Sequence, residues 1–322
     1  MTSALLERIV REGDGADVLE LLAERLTPTD LQSLMLEVYR RRAARQAPAA
    51  LLASYERNPF VRPATISPAA LLEVDRLAFG LAAPQFTPLE LAPVCPLGTN
   101  TSVGAADQNK TIATARNTEV VSDSTNVLAL ECATRRRDLM RDPARRHERV
   151  ALCASHRLLR PQPFKGAASF AHFRLFALCT AGRDEGSFRF ELAALREHLR
   201  FYLCLLTALQ AQGSAIHALD VRVTDLDGTR ADAIAASVFA PLAEEFPQTQ
   251  ARFDPERASG RTYYAGLCFA IYASDAAGQA YMLADGGFTS WTQQLLNNAK
   301  ERLLISGIGT ERLCSVFGAG AT

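Results

Sequence analysis

The spacing of apolar residues divides the chain into a helical first part and a strand-rich second part. Apolar side chains recur at helical intervals from Leu31 to Tyr39, and Thr27 precedes them as a helix cap. The segment Asn58–Pro63 contains two prolines and predicts a linker. We therefore predict a helical N-terminal appendage at residues 1–62, followed by one larger domain at residues 63–322.

The larger domain shows strand patterns more often than helix patterns. Helices are predicted from Ser67, over 188–211 and over 289–302, and the proline-rich stretch Phe86–Pro96 predicts a short or edge strand. Strands are predicted at 119–121, 150–154, 174–180, 220–223, 263–274 and 279–284. Because strands and helices do not alternate regularly, the pattern favours an α+β fold over a doubly wound parallel sheet.

Charge and composition narrow the possible partners. The 322 residues are 48% hydrophobic, and the 35 basic residues balance the 35 acidic ones. A neutral chain has no global attraction to nucleic acid or to an acidic membrane. The one strongly basic run, Arg135–Arg149, contains interleaved Asp138, Asp142 and Glu148. These acids favour a solvated, self-paired surface over a phosphate-backbone site.

The cysteines and the lengths of the apolar segments indicate where in the cell the protein is located. The seven cysteines show no CxxC pair and no Cys/His pair at ligand spacing, which predicts buried free thiols in a reducing environment. The N-terminus lacks the apolar core of a signal peptide, and no stretch is long enough to span a bilayer. We expect a cytoplasmic protein without a membrane segment.

The sharpest candidate for chemistry is the segment Ser306–Leu313. Gly307 and Gly309 would let a flat ring lie against the backbone, and Arg312 opens a helix where a phosphate can be bound. The alternative is an ordinary strand-to-helix turn with a surface arginine, because a G-x-G turn alone is a weak motif.

Two other segments suggest a pocket. A strand, a basic loop and a second strand carry Arg157 and Phe173, which would grip a phosphate and stack on a base. The alternative is a hairpin with Phe173 in the core. Further on, Tyr263 and Tyr264 precede a glycine pair at Gly286, which would form a pocket wall or simply a close-packed buried strand.

Taken in order, the three segments resemble class II aminoacyl-tRNA synthetases, most nearly the histidyl branch. Arg157 falls at the α-phosphate-binding arginine of the family's second motif, and Phe173 falls at its adenine-stacking position. The run from Gly307 through Glu311 to Arg312 is similar to the third motif, Gly-Φ-Gly-Φ-Glu/Asp-Arg. Lys165-Gly166 resembles part of the histidyl motif-two loop.

The amino-acid side of the family site has matching segments too. Tyr263-Tyr264 is similar to the histidyl Tyr-Tyr-Thr-Gly, and Gly286 opens the counterpart of its Gly-Gly-Arg-Tyr-Asp. Asp123 and Thr125 resemble the Glu-Gly-Thr that holds the substrate's amino group. The resemblance implies an antiparallel sheet flanked by helices, a homodimer, and a site for an amino acid with ATP and Mg²⁺ as cofactors.

Some positions depart from the family pattern. The motif-two glutamate is replaced by Leu159, the catalytic arginine falls on Ser259, and Phe288-Thr289-Ser290 replaces Arg-Tyr-Asp. The chain also ends shortly after the third motif, so we expect no C-terminal anticodon-binding domain.

Two functions are consistent with this pattern. The first is an ATP-dependent ligase that activates an amino acid or related carboxylate as an adenylate, for a tRNA acceptor stem, a carrier protein or another acceptor. Its catalytic residues would be Arg157 and Arg312. The second is an inactive synthetase relative that senses an amino acid and regulates an enzyme partner, as the regulatory subunit of ATP phosphoribosyltransferase does. Leu159 and Ser259 favour the second, whereas Phe173 and the two arginines favour the first, which is the leading prediction from the sequence, with the second as its alternative.

Overall fold

The N-terminal region is helical in the computed structural model, which describes residue 8 and residues 18–104, 106–161 and 170–320. Helix α1 (Val18–Glu20) continues as a π-helical turn, Leu21–Arg25, and is followed by α2 (Pro28–Ala43) and α3 (Pro48–Arg57). The Thr27 hydroxyl accepts a hydrogen bond from the Asp30 amide at 3.2 Å, which confirms the predicted cap. None of these helices contains a buried residue, so little apolar packing holds them to the rest of the chain.

The larger domain contains the remaining described elements. Its strands are β1 (Thr87–Pro88), β2 (Val94–Pro96), β3 (Thr118–Val120), β4 (Val150–Leu159), β5 (His172–Arg183), β6 (Ala218–Asp225), β7 (Gln250–Phe253), β8 (Leu267–Ser274), β9 (Ala280–Thr289) and β10 (Glu301–Gly309). Its helices are α4 (Pro68–Ala82), α5 (Ser124–Met140), α6 (Arg189–Ala211), α7 (Ala231–Ile234), α8 (Ala240–Glu245), α9 (Trp291–Leu296) and α10 (Thr310–Phe317).

The main sheet, as far as the described residues show it, has eight strands in the order β1-β4-β5-β10-β9-β8-β6-β7. All neighbours from β4 to β6 pair in antiparallel fashion, and only the two edge strands β1 and β7 pair in parallel. The late strand β10 lies between β5 and β9, near the centre of the sheet. The structure therefore confirms the α+β class and the antiparallel sheet flanked by helices.

Alternation along the strands sends side chains to two different layers. On one face, Phe176 of β5 and Ile308 of β10 join the larger core with α4, α6 and α10. On the other face, Ala177 and Ile305 pack against α5 and Trp291. Strand β10 thus contributes side chains to both cores. Its C-terminal end, and the start of α10 that follows it, lie beside the layer formed by α5 and Trp291.

The structure corrects two of the predicted elements. The helix predicted over 289–302 is only the six residues of α9, because Asn297 adopts a left-handed φ of 48° that ends it and β10 begins at Glu301. The strand predicted from Tyr263 begins only at Leu267, after Gly266 with a φ of +75°. The two tyrosines therefore lie in the turn before β8.

The basic run is self-paired in part, as predicted, whereas Arg136 and Arg149 pair with acids elsewhere in the chain. Arg135, Arg141 and Arg145 form ion pairs within their own segment, to Glu131, Asp138 and Glu148. No helix among the described residues has the length and hydrophobicity needed to cross a membrane.

One arginine of this run, Arg136, is fully buried and joins three parts of the domain. Its guanidinium donates two hydrogen bonds to the Glu301 carboxylate, at 2.8 and 3.0 Å, and others to the carbonyls of Arg146 and Glu148. Glu301 is also fully buried. The ion pair thus links α5 to β10, and both of its charged groups are shielded from water.

We predict that Glu301→Gln destabilises the protein strongly, because it leaves the Arg136 charge buried without a counter-charge. Removing one partner of a buried ion pair typically costs about 3–5 kcal/mol. Urea denaturation measures the loss. Asp138→Asn, which removes a carboxylate from the exposed pair with Arg141, is the control and should change stability little. Equal losses in the two variants would contradict this account.

A second buried polar group lies between α6 and the sheet. His198 Nδ1 is 2.7 Å from Ser306 Oγ, and its Nε2 is 2.9 Å from Thr180 Oγ1. The Tyr202 hydroxyl is also 2.8 Å from Ser306 Oγ. Burial lowers the pKa of His198 from 6.5 to about 3, so the imidazole stays neutral in the folded protein.

We predict that the neutral, buried His198 makes the protein less stable as the pH is lowered. Between pH 6.5 and about pH 3 the unfolded chain binds a proton there and the folded chain does not, so stability falls as pH falls. From pH 7 to pH 5 this contributes about 2 kcal/mol. His198→Gln should be less stable at pH 7 but should lack this component when denaturation curves are compared at both pH values. A variant whose stability falls as steeply as that of the wild type would refute the assignment.

Candidate functional site

A cavity of about 600 Å³ lies on the α5 side of the sheet. Its wall comes from the start of α5, the start of β5, the turn before β8, the middle of β9, the end of β10 and the start of α10. The structure places nine predicted site residues in this wall: Asp123, Thr125, Phe173, Tyr263, Tyr264, Gly307, Gly309, Glu311 and Arg312. Arg157 and Gly286 are not part of it, and Lys165 and Gly166 lie outside the described residues.

The predicted amino-group site is built on a helix cap. Asp123 precedes α5, and its Oδ1 accepts hydrogen bonds from the Thr125 amide at 3.0 Å and the Thr125 hydroxyl at 2.8 Å. Its Oδ2 pairs with Arg160 at 2.8 Å. The carboxylate is thus oriented by the helix it caps and neutralised by an arginine that follows β4.

Arg160 also covers the ring predicted to stack on adenine. Its guanidinium carbon is 5.1 Å from the centre of the Phe173 ring, and its Nε donates to the Ser122 carbonyl at 2.8 Å. Phe173 itself packs against a small cluster that includes Leu158 and Val121. One face of the ring therefore contacts a cation of the same chain, and another part of it contacts core.

The predicted phosphate-binding arginine is held outside the cavity wall. Arg157 Nη2 is 2.6 Å from Glu311 Oε1, and its Nη1 is 2.9 Å from His172 Nδ1. Arg157 pairs across the strands with Arg174, which binds Asp75 of α4 at 2.6 Å. The phosphate role of Arg157 stays a prediction, and it would require the ion pair with Glu311 to be broken.

Glu311, the acid of the third motif, is almost completely buried, with 1% of its side chain exposed. Among the described residues its carboxylate oxygens accept no aligned hydrogen bond, so the ion pair with Arg157 compensates its charge. Arg312, the next residue, lines the cavity and donates to the Met282 carbonyl at 2.6 Å. Neighbouring residues of α10 thus carry opposite charges on different sides of the helix.

Gly286, predicted to contact the amino acid, faces away from the cavity. A Cβ on Gly286 would lie 2.4 Å from Ser306 Cβ, on the α6 face of the sheet and away from the cavity. A Cβ on Gly287 would lie 2.5 Å from the Tyr264 ring, so this glycine makes room for the tyrosine turn. The amino-acid contact predicted for Gly286 therefore has no support from its position.

Asp285, just before that pair, is a wall residue that the sequence reasoning missed. Its Oδ1 accepts from Arg257 Nη2 at 2.8 Å, and Arg257 Nε donates to the Ser259 carbonyl at 2.7 Å. Burial raises the pKa of the Asp285 carboxyl, against the opposing effect of the Arg257 charge. An isolated acid inside an otherwise apolar strand pattern was the signal that would have identified it.

Tyr263 and Tyr264 form the aromatic part of the wall. Their rings meet edge to face with centres 4.9 Å apart, and Tyr263 also contacts Trp291 at 5.7 Å. Burial raises the pKa of both hydroxyls, so both remain protonated at neutral pH. The pair offers a neutral surface between charged groups.

The charges of the wall balance. The acids are Asp107, Asp123, Asp285 and Glu311, and the bases are Lys110, Arg160, Arg174 and Arg312. Four negative and four positive groups give a net charge of zero on the described wall. Such a site favours a ligand that itself has no net charge over a polyanion.

The residues present do not fit ATP with Mg²⁺ in this arrangement. The stacking ring is covered by Arg160, and the predicted phosphate arginine is paired with Glu311. Leu159 stands where the family has a motif-two glutamate, so a carboxylate contact to the adenine is lost as well. Across residue 8 and 18–104, 106–161 and 170–320, no three His, Cys, Asp or Glu side chains cluster as a metal site.

Comparison with known proteins gives a consistent structural answer. A histidyl-tRNA synthetase from S. aureus, in its apo form, has 14% identity and a TM-score of 0.57, over 80% of this chain and 68% of that one. An ATP phosphoribosyltransferase regulatory subunit/histidyl-tRNA synthetase from Bacillus halodurans has 12% identity and a TM-score of 0.58, over 80% and 82%. A histidine–tRNA ligase subunit from Alicyclobacillus acidocaldarius has 12% identity and a TM-score of 0.55, over 81% and 96%.

No protein-family model and no curated protein sequence matches the chain. At identities of 12–14% the likeness shows the fold and leaves the chemistry to the residues of the site. The chain therefore has the class II aminoacyl-tRNA-synthetase fold, in the form found in histidyl-tRNA synthetases and in the regulatory subunit of ATP phosphoribosyltransferase.

Proposed function

We propose that this chain is an amino-acid-binding, regulatory relative of the synthetases that does not form an adenylate. One observation carries the proposal: the arginines around the cavity are compensated by carboxylates of the same chain. The ion pairs are Arg157–Glu311 at 2.6 Å, Arg160–Asp123 at 2.8 Å, Arg174–Asp75 at 2.6 Å and Arg257–Asp285 at 2.8 Å.

Adenylate formation needs cations that are available to the reacting phosphate. The charge that develops at the α-phosphate is stabilised by preorganised positive groups. Here a phosphate would have to displace a carboxylate from each of these four arginines. Displacing Glu311 from Arg157 would leave a buried carboxylate without its counter-charge, which is unfavourable. These pairs therefore oppose ATP binding more than they oppose the binding of a zwitterion.

A free amino acid matches the neutral wall. We infer that Asp123, with Thr125 beside it, holds the ammonium group, and that Arg312 holds the carboxylate. Tyr263 would shield the ammonium from water by covering it with an aromatic face. The cavity volume of about 600 Å³ is within the range of small-molecule sites.

Adenylate formation remains the second candidate, because one observation favours it. Phe173 and Arg312, the predicted adenine and phosphate residues, line the same cavity although they are far apart in the chain. If Arg160 moved off the Phe173 ring and Arg157 left Glu311, these groups would form a nucleotide site. Adenylate formation requires the Arg160–Phe173 and Arg157–Glu311 contacts to break, whereas amino-acid binding and regulation do not.

A regulatory protein needs an enzyme to act on. The Bacillus halodurans neighbour is described as a phosphoribosyltransferase regulatory subunit or a histidyl-tRNA synthetase, so its own name covers both candidates. We propose that this chain likewise binds an enzyme partner, and that it forms a homodimer through the region Phe86–Pro96.

We predict that one amino acid, or a small chemical group of amino acids, raises the melting temperature of the purified protein. At a concentration 100 times the Kd, binding stabilises the folded state by about 2.7 kcal/mol. Thermal-shift screening followed by calorimetry measures this. Asp123→Asn should abolish binding without unfolding α5, since asparagine is also a good helix cap.

The control is Asp232→Asn, which changes an exposed carboxylate away from the cavity and should leave binding intact. ATP with Mg²⁺ should produce no stabilisation, and pyrophosphate exchange should stay at background with every amino acid. Exchange that is lost in Arg157→Ala and Arg312→Ala would contradict the proposal and establish the adenylate-forming alternative.

A further inference from the structure

Asp285 lies in the wall of the cavity between two strand neighbours with small side chains. It lies in β9 opposite Gly307 of β10 and Ala270 of β8, and paired residues on neighbouring strands share a face of the sheet. Neither partner has a side chain beyond Cβ. The Leu175 side chain fills the space over Gly307, and 35% of the Asp285 side chain remains exposed.

The contact with Arg257 leaves hydrogen-bonding capacity on the cavity side. Arg257 Nη2 donates to one carboxylate oxygen of Asp285, and Arg257 itself is 5% exposed, behind the wall. Its Nε is occupied by the Ser259 carbonyl, so the guanidinium does not clasp both oxygens of the acid. An ionised carboxylate offers about four acceptor sites. The Gly286 amide and the Tyr264 hydroxyl supply part of this capacity, and the remaining acceptor sites are available to a donor in the cavity.

Asp123, the two tyrosines of the turn before β8 and Asp285 line the same cavity. A ligand whose ammonium group is at Asp123 would therefore have its side chain in a space that the tyrosine rings and Asp285 also border.

We propose that Asp285 selects the side chain of the bound amino acid. The ligand class is α-amino acids whose side chain ends in a nitrogen that donates hydrogen bonds, as an ammonium, guanidinium, amide or imidazole group does. This inference rests on the proposed amino-acid-binding function, which it deepens by naming the chemistry of the ligand.

The selection has a physical basis in desolvation. A side chain with an aliphatic tip would remove water from the Asp285 carboxylate without replacing its hydrogen bonds, which is costly in a partly buried site. An acidic side chain would place like charges together. A nitrogen donor avoids both penalties. Sites built to pair a polar group reject ligands that lack it by factors of up to about 10⁵.

Calorimetry with matched ligands tests the proposal. Lysine is compared with norleucine, and glutamine with methionine, since each pair has a similar length and differs in the nitrogen donor. The wild type should bind the nitrogen-bearing member at least about 100-fold more tightly. Asp285→Asn, which keeps the shape but turns a donor toward the ligand, should reduce that ratio at least about tenfold.

A second variant keeps the test valid if Asp285→Asn folds poorly. Asp285→Glu retains the charge beside Arg257 and extends the carboxylate by one methylene. Its preference should move to shorter ligands, from glutamine to asparagine or from lysine to ornithine. Glu256→Gln, a change at an exposed neighbouring acid, is the matched control and should leave all ratios unchanged.

The outcomes separate the two proposals. If the wild type binds no amino acid, the proposed function fails and this inference fails with it. If amino acids bind but the aliphatic member is preferred, or if Asp285→Asn leaves the ratio unchanged, only the role of Asp285 is overturned. Preference for either lysine or glutamine supports it, and the comparison of the two shows whether the nitrogen is cationic or neutral.

Discussion

Charge compensation around the cavity is the constraint on which the functional interpretation depends. Arg157, Arg160, Arg174 and Arg257, which lie around the cavity, are paired with carboxylates from α4, α10, β9 and the start of α5. Unpaired guanidinium groups beside a low-dielectric cavity would be unfavourable, and so would unpaired carboxylates such as Glu311. The pairs satisfy both charges. They also leave a wall that suits a zwitterion better than a polyphosphate.

The alternation of side chains along β4 and β5 explains why Phe173 lines the cavity and Arg157 does not. Leu158 pairs with Phe173 and shares its face, whereas Arg157 pairs with Arg174 one position along and points to the other face. The period of two thus puts an aromatic ring at the cavity and a guanidinium among α4 and α10. The same alternation turns Gly286 away from the cavity and brings Asp285 into it.

Local patterns predicted much of the fold. The helix predicted at 188–211 is α6, Arg189–Ala211, because its apolar positions keep a helical period over many turns. Thr27 and Ser67 were identifiable as caps because their hydroxyls bond within three residues. The helix predicted over 289–302 was wrong, since the left-handed turn at Asn297 is a single-residue event without an apolar period.

The amino-acid sequence was sufficient to predict the long helix α6, most strands, the fold resemblance and most of the residues that line the cavity, because period, caps and motif order are properties of short segments. It did not predict α5, and which residues face the cavity and which charges are already satisfied could be seen only in the folded structure. Arg157 meets Glu311, and Arg257 meets Asp285, across long stretches of chain. Such pairings depend on strand register and burial, which no local pattern specifies.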